Sequence, residues 1–267
     1  MGKRDYILTA ILFVILLFGL WLAQKYLNAY MIRILNTAFI YVIAAVAYNL
    51  INGIAGQFSL GPNGFMALGG YTVALLMLPV YQKIQVYFLT PLIWPFSVIT
   101  FPSYLFILSL VLGGLVAAGG AFLIGFPTLR LRGDYLAIAS FGFSEIIFVL
   151  ANNFIPLTNG ALGIKGLPQY TNLWWTGGLA FLTVFLIRNL VNSSFGRALK
   201  AIREDEIAAQ TMGINPFRMK LLAFAISGFF AGVAGGLFVT LISTVSPTLF
   251  TFAMTFNLLI IIVLGGL

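Results

Sequence analysis

Few residues in this chain could do chemistry, and their types bound what that chemistry is. Glu145 lies about halfway along an apolar run, Tyr135–Phe154. A carboxylate inside a membrane span marks a functional site by default, as a proton relay or a counter-charge. The bland alternative is a local role, packed on a neighbouring helix or bonded to a group such as Ser144. A second constellation is Arg203-Glu204-Asp205-Glu206, within the polar stretch Ser193–Lys220; the three carboxylates are half of the six acidic residues. A third is the run Asn49–Gly64, where Asn49, Asn52, Gln57 and Ser59 alternate with Gly53, Gly56 and Gly61. Amides and hydroxyls can hold a polar solute. The chain has no His and no Cys, so it lacks the commonest general base and metal ligand and any thiolate or disulfide chemistry. It also has no Gly-x-x-x-x-Gly-Lys-[Ser/Thr] loop to seat ATP. An enzyme is the weakest reading, and neither cofactor nor metal is expected.

The elements that must position these residues follow from composition. Hydrophobic residues make up 61% of the 267 and charged residues 7%, with mean hydropathy +1.06, against about 25% charged in an average soluble domain. The net charge of +8 is not a nucleic-acid signal here, because basic residues flanking apolar spans set membrane orientation. Spans are predicted over Tyr6–Ala23, Ile32–Ile51, Phe65–Tyr81, Tyr104–Phe126, Tyr135–Phe154, Trp175–Val191 and Leu221–Leu241. Each has about the length that crosses a ~30 Å hydrocarbon core. An eighth begins near Phe256 and reaches Leu267 after about a dozen residues, too few to cross, so the sequence reads as truncated or continuing. The fold class is thus an all-α polytopic membrane protein. Residues 1–267 form a single transmembrane domain, with the loop 193–220 inside it and lipid around it.

With the N-terminus inside, the cytoplasmic side receives Lys3, Arg4, Arg130, Arg132, Arg188, Arg197, Lys200, Arg203, Arg218 and Lys220. The outside receives Lys25, Arg33, Lys83 and Lys165. That bias favours a cytoplasmic N-terminus and a cytoplasmic Ser193–Lys220 loop. Local signals make the loop a helix, a turn and a second helix. Asp205 can N-cap a helix Glu206–Met212, whose start is also favoured by Glu204, Asp205 and Glu206. Gly213 suits a left-handed terminator, and Asn215-Pro216 reads as a cap followed by proline at the first helical position. The loop is either a solvated connection or a docking element for a soluble partner, with Ala208 and Ala209 permitting close approach.

Asn49–Gly64 cannot make a clean spanning helix. It is either a cytoplasmic turn or a broken helix lining a watery route, the two settings in which irregular backbone is tolerated near a membrane. Small residues crowd the fourth span (Gly113, Gly114, Ala117) and the seventh (Gly228, Gly232, Gly235), a signal of close helix packing.

Several runs together resemble the LivM-type permease of branched-chain amino-acid ABC transporters. They are Phe195-Gly-Arg-Ala-Leu-Lys-Ala-Ile-Arg-Glu-Asp-Glu-Ile-Ala-Ala-Gln-Thr-Met-Gly-Ile-Asn, Leu129-Arg-Leu-Arg-Gly-Asp-Tyr-Leu-Ala-Ile, Gly142-Phe-Ser-Glu-Ile, Leu157-Thr-Asn-Gly-Ala-Leu-Gly-Ile-Lys-Gly-Leu-Pro and Asn49-Leu-Ile-Asn-Gly-Ile-Ala-Gly-Gln-Phe-Ser-Leu-Gly. The resemblance implies an importer with a second homologous permease, two cytoplasmic ATP-binding subunits and an extracytoplasmic substrate-binding protein, in a prokaryotic inner membrane. On the broken-helix reading, Asn49, Asn52, Gly53, Gly56, Gln57, Ser59 and Gly61 lie on the substrate path, and the intramembrane carboxylate adds Glu145 to it. The resemblance implies that Arg203, Glu204, Asp205, Glu206, Ala208, Ala209 and Gly213 couple the permease to an ATPase. Two departures stand out. The coupling pattern runs one residue longer after Glu206, and Asn159 replaces a glycine-like residue. The family's C-terminal helices are also missing. Competing readings are an ion-coupled secondary transporter, with Glu145 as its sole clear coupling group, and a permease for urea or short amides.

Overall fold

Long apolar runs leave the backbone no partner but itself in lipid, so they fold as helices. The structure is a computed structural model describing residues 3–88, 90–131 and 133–266, with side chains described from Ile11 onward. The side chains of Lys3, Arg4 and Tyr6, and residues Arg132 and Leu267, which the sequence reading used, lie outside the described residues. Helix α1 (Lys3–Tyr26) is followed by α2 (Ala29–Asn49), whose cap Asn28 accepts the Met31 N–H at 2.9 Å. Helix α2 runs on into a π-helical turn, Leu50–Ile54. Helix α3 (Pro62–Met77) is bent by 118° from α4 (Val80–Val86). Helix α5 (Phe106–Thr128), α6 (Asp134–Asn153) and the single turn α7 (Ile155–Thr158) come next. A two-residue strand β1 (Ile164–Lys165) precedes α8 (Leu173–Asn192), α9 (Ser194–Glu204), α10 (Glu206–Thr211) and α11 (Pro216–Ile242). Strand β2 (Thr244–Val245) pairs antiparallel with β1, Ile164 opposite Val245. A 3-10 turn, Pro247–Phe250, leads into α12 (Phe252–Gly265).

Two predicted boundaries are corrected. The third span ends at Met77 rather than Tyr81, because Pro79 disfavours helical backbone at the residue before it, and Leu78 is extended at φ −71°, ψ 123°. The last helix starts at Phe252 rather than near Phe256; with the turn before it, Pro247–Gly265 spans 19 residues and is apolar enough to cross a membrane. Pro247 and Phe250 of that turn are buried. Six described helices are long and apolar enough to span, seven if the bent pair counts as one.

Helix α11 is the axis of the bundle, and its apolar window is 67% buried. It meets α3 and α5 backbone to backbone. A Cβ on Gly235 would stand 1.9 Å from the Met66 carbonyl oxygen, one on Gly69 would stand 2.2 Å from that of Gly232, and one on Gly232 would stand 2.4 Å from the Ala117 Cβ. Lipid gives no hydrophobic drive for helices to associate, so close contact between small residues holds such helices together. The glycines of α5 and α11 therefore have the packing role their spacing predicts, with Gly69 as an unflagged partner. Beneath the π turn, Leu50, Ala55, Leu199 and Ala223 form a separate buried cluster that seats α9 on the bundle.

Candidate functional site

The break in α2 is shorter than its composition suggests. Asn49–Ile54 stay helical, and only residues 55–61 leave regular structure. Widening to a π turn lengthens the hydrogen-bond step: the Ala55 N–H reaches the Leu50 carbonyl, five residues back, at 3.1 Å, and the Gln57 N–H reaches that of Ile51, six back, at 3.0 Å. Gly56, at φ +64°, turns the chain back into the protein, a conformation that costs glycine little. Asn52 Oδ1 accepts the Ser59 N–H at 3.3 Å. The Tyr48 hydroxyl donates to the Ser59 carbonyl, and Ser59 Oγ accepts the Gly61 N–H at 3.4 Å. Ser140 Oγ of α6 accepts the Leu60 N–H at 2.9 Å. A Cβ on Gly61 would stand 3.0 Å from the Ser140 carbonyl oxygen. Asn63, in the first turn of α3, donates to the Phe250 carbonyl at 3.0 Å and accepts from the Thr255 hydroxyl at 2.8 Å.

Against this satisfied frame, a few atoms are left over. Gln57 is 3% exposed, yet neither its amide oxygen nor its nitrogen has a partner, and Asn49 Oδ1 is likewise buried and unpaired. Buried polar atoms without partners are rare and call for an explanation such as water or a ligand. Glu145 sits half-buried on α6, with no hydrogen bond or ion pair among the described residues; it does not bond Ser144, whose hydroxyl donates to the Phe141 carbonyl. Tyr48, Ser140 and Thr255 belong to the frame without standing out in the sequence, whereas Asn63 lies inside the singled-out run Asn49–Gly64. Tyr48 is adjacent to Asn49, but Ser140 meets the break from 80 positions away and Thr255 bonds Asn63 from 192.

At the polar end of the bundle, the Ser193–Lys220 stretch holds three helices rather than two. The additional one, α9, is capped by Ser193 and buries Gly196, Leu199 and Ile202 on one face. Glu204 is therefore the last residue of α9 and not part of the start of the next helix, which corrects its predicted place. Asp205 caps α10 as expected, its carboxylate accepting the N–H groups of Ile207 at 2.8 Å and Ala208 at 3.0 Å. Gly213 is left-handed at φ +82°, and Asn215 caps α11 through the Arg218 N–H at 3.1 Å. Glu206 pairs with Lys220 at 2.9 Å, fastening α10 to α11.

The outward face of this hairpin differs from the expected one. Ala209, expected to permit close approach of a partner, is instead 4% exposed and packed inside the chain; Ala208 is exposed beside Ile207 and Met212, which are 70% and 82% exposed. Arg203 turns its guanidinium inward, Nη1 donating to the Gly53 carbonyl at 2.7 Å. Residues 203 and 53, from two constellations separate in sequence, thus touch.

A family model described as "Branched-chain amino acid transport system / permease component" matches residues 30–267. The chain belongs to this family. It is 36% identical over 270 residues to the high-affinity branched-chain amino acid transport system permease protein LivM of Salmonella typhimurium, covering 88% of this chain and 58% of that protein, with the same figures for LivM of Escherichia coli. The permease chain thus spans less than two thirds of these curated relatives. A probable branched-chain amino acid transport permease protein LivM of Methanocaldococcus jannaschii is 26% identical over 254 residues, covering 85% of this permease and 72% of that one. No solved structure matches the permease. Its spans and its family make it a multi-pass membrane protein related to transport permeases.

Proposed function

We propose that the chain is a permease subunit of an ATP-driven importer for branched-chain or related hydrophobic amino acids. It forms half of a translocation path with a second permease subunit, receives substrate from an extracytoplasmic binding protein, and takes energy from two ATP-binding subunits on the α9–α10 hairpin. The N-terminus and the hairpin face the cytoplasm of a prokaryotic cell, and the path residues are those of the break together with Glu145. The observation that carries this reading is Gln57. A fully buried amide with both ends unpaired, in a helix break, is where a passing zwitterion or its water would find hydrogen bonds. The reading also rests on the family and on the LivM relatives, which are named for branched-chain amino acid transport.

Affinity purification of the chain with mass spectrometry identifies the partner subunits, and uptake by the purified complex in proteoliposomes identifies the cargo. Gln57→Leu, which keeps approximate volume and removes both polar atoms, is expected to leave assembly intact while leucine uptake falls tenfold or more, about the loss of one hydrogen bond to a charged group. Unchanged uptake in Gln57→Leu removes Gln57 from the path. Urea uptake equal to that of leucine overturns the amino-acid assignment.

A further inference from the structure

We propose that Arg203 is the positioning residue that ties the cytoplasmic hairpin to the break in α2, so that displacement of α9 moves residues 53–57. This rests on the reading that ATP-binding subunits act on the hairpin. In an uninterrupted α-helix the Gly53 carbonyl would accept the Gln57 N–H. Here that N–H goes to Ile51 instead, and the freed carbonyl takes Arg203 Nη1 at 2.7 Å from 150 positions away. The aliphatic stem of the same arginine lies over Gly56: a Cβ there would stand 2.5 Å from Arg203 Cγ and 3.3 Å from both Cβ and Cδ. One side chain thus holds a freed carbonyl of the last helical turn and covers the left-handed residue next to the unpaired Gln57. Leu199, one turn earlier on α9, is fully buried against Leu50, Ala55 and Ala223, so the helix carrying Arg203 is itself seated on the break. The neighbouring contact to Glu204, at 3.2 Å between exposed side chains, adds little. A lysine would keep the charge but not the planar fork that reaches a carbonyl while its stem stays flat on the glycine.

The test reads hydrogen exchange in the assembled complex in nanodiscs, comparing the nucleotide-free and ATP-bound forms. In the unaltered protein, ATP is expected to change exchange in residues 194–212 and 50–61 together. In Arg203→Met, which keeps the stem and removes the guanidinium, the response of 194–212 persists while that of 50–61 drops about fivefold or more, the smallest ratio expected for one lost stabilising contact. Gly56→Ala, which displaces the stem without altering Arg203, gives the same split, and Arg203→Lys retains an intermediate response. Should Arg203→Met fail to assemble, the other two variants read the same quantity and decide. A wild-type response of 50–61 in the assembled variants overturns the tie while leaving the coupling reading in place. Absence of any ATP response in 194–212 of the unaltered complex overturns the coupling reading, and the tie with it.

Discussion

Lys83 shows what burial does to a single side chain. It is 3% exposed at the end of the bundle away from the hairpin, where Nζ donates to the carbonyls of Phe96 at 2.7 Å and Ile99 at 2.5 Å and so fastens the loop before α5. It forms no ion pair among the described residues, and burial pushes its pKa down from 10.5 to about 8. Between those two values the unfolded chain binds more protons at this site than the folded one, so stability rises with pH through that window and is flat below it. The unfolding midpoint of the purified protein is expected to climb between pH 8 and pH 10, and Lys83→Met is expected to remove this contribution. A midpoint that falls across this range in the parent but not in the variant contradicts the assignment. Other residues differ in how far the sequence announces them. Asp205, Gly213 and Asn215 act on backbone within three positions, so capping chemistry identifies them. The partner of Arg203 leaves no such trace, because nothing local to residue 203 records a carbonyl freed at residue 53. Ala209 was legible as small, but which face of a six-residue helix turns inward depends on α9, whose own start at Ser193 is a weaker signal than the acidic run that follows it.

At the scale of elements, α3, α5 and α11 are held by contacts that admit no side chain. Gly235→Ala places a methyl 1.9 Å from the Met66 carbonyl oxygen, and backbone on both sides prevents relief, so the cost exceeds the ~1–3 kcal/mol of ordinary overpacking. Little folded protein is expected on size-exclusion chromatography. Gly119→Ala, on the same helix as Gly113 but with nothing within 4 Å of the new methyl, is expected to be neutral or stabilising by up to ~1 kcal/mol. Equal yields from the two variants would deny the backbone contact. The small-residue runs of α5 and α11 made this packing legible. The kink after Met77 was legible only in retrospect, since a proline just beyond an apolar run does not fix whether the helix bends or continues. The π turn was hidden for a related reason: Asn52 and Gly53 disfavour a regular helix, but the tertiary bonds to Ser59 and Arg203 hold them in a widened one.

For the whole molecule, the distribution of basic residues predicts which end faces the cytoplasm. The chain is free of cysteine, so single cysteines report cleanly. Met212→Cys on the hairpin and Leu162→Cys at the opposite end replace residues that are 82% and 46% exposed. With a membrane-impermeant maleimide on intact cells, Leu162→Cys is expected to label and Met212→Cys only after permeabilisation. Labelling of Met212→Cys from outside inverts the topology. Several helices leave much of their surface uncovered: the apolar windows of α6, α8 and α12 are each 28% buried, against 67% for α11. That contrast follows from the glycine junction, which packs α11 tightly and leaves the other helices at the periphery.

The contact of Asn63 with Thr255 also sets an order of events during synthesis. The two residues are 192 positions apart, and both are fully buried. When α3 enters the bilayer, Thr255 and the Phe250 carbonyl have not yet been made, and the Asn63 amide has neither of its native partners. The first turn of α3 therefore waits, incompletely satisfied, until five more long apolar helices have followed it out of the ribosome. The nascent permease must pass through a stage in which a polar side chain is placed at the membrane ahead of the segment that completes it, and α12 closes a contact that α3 opened.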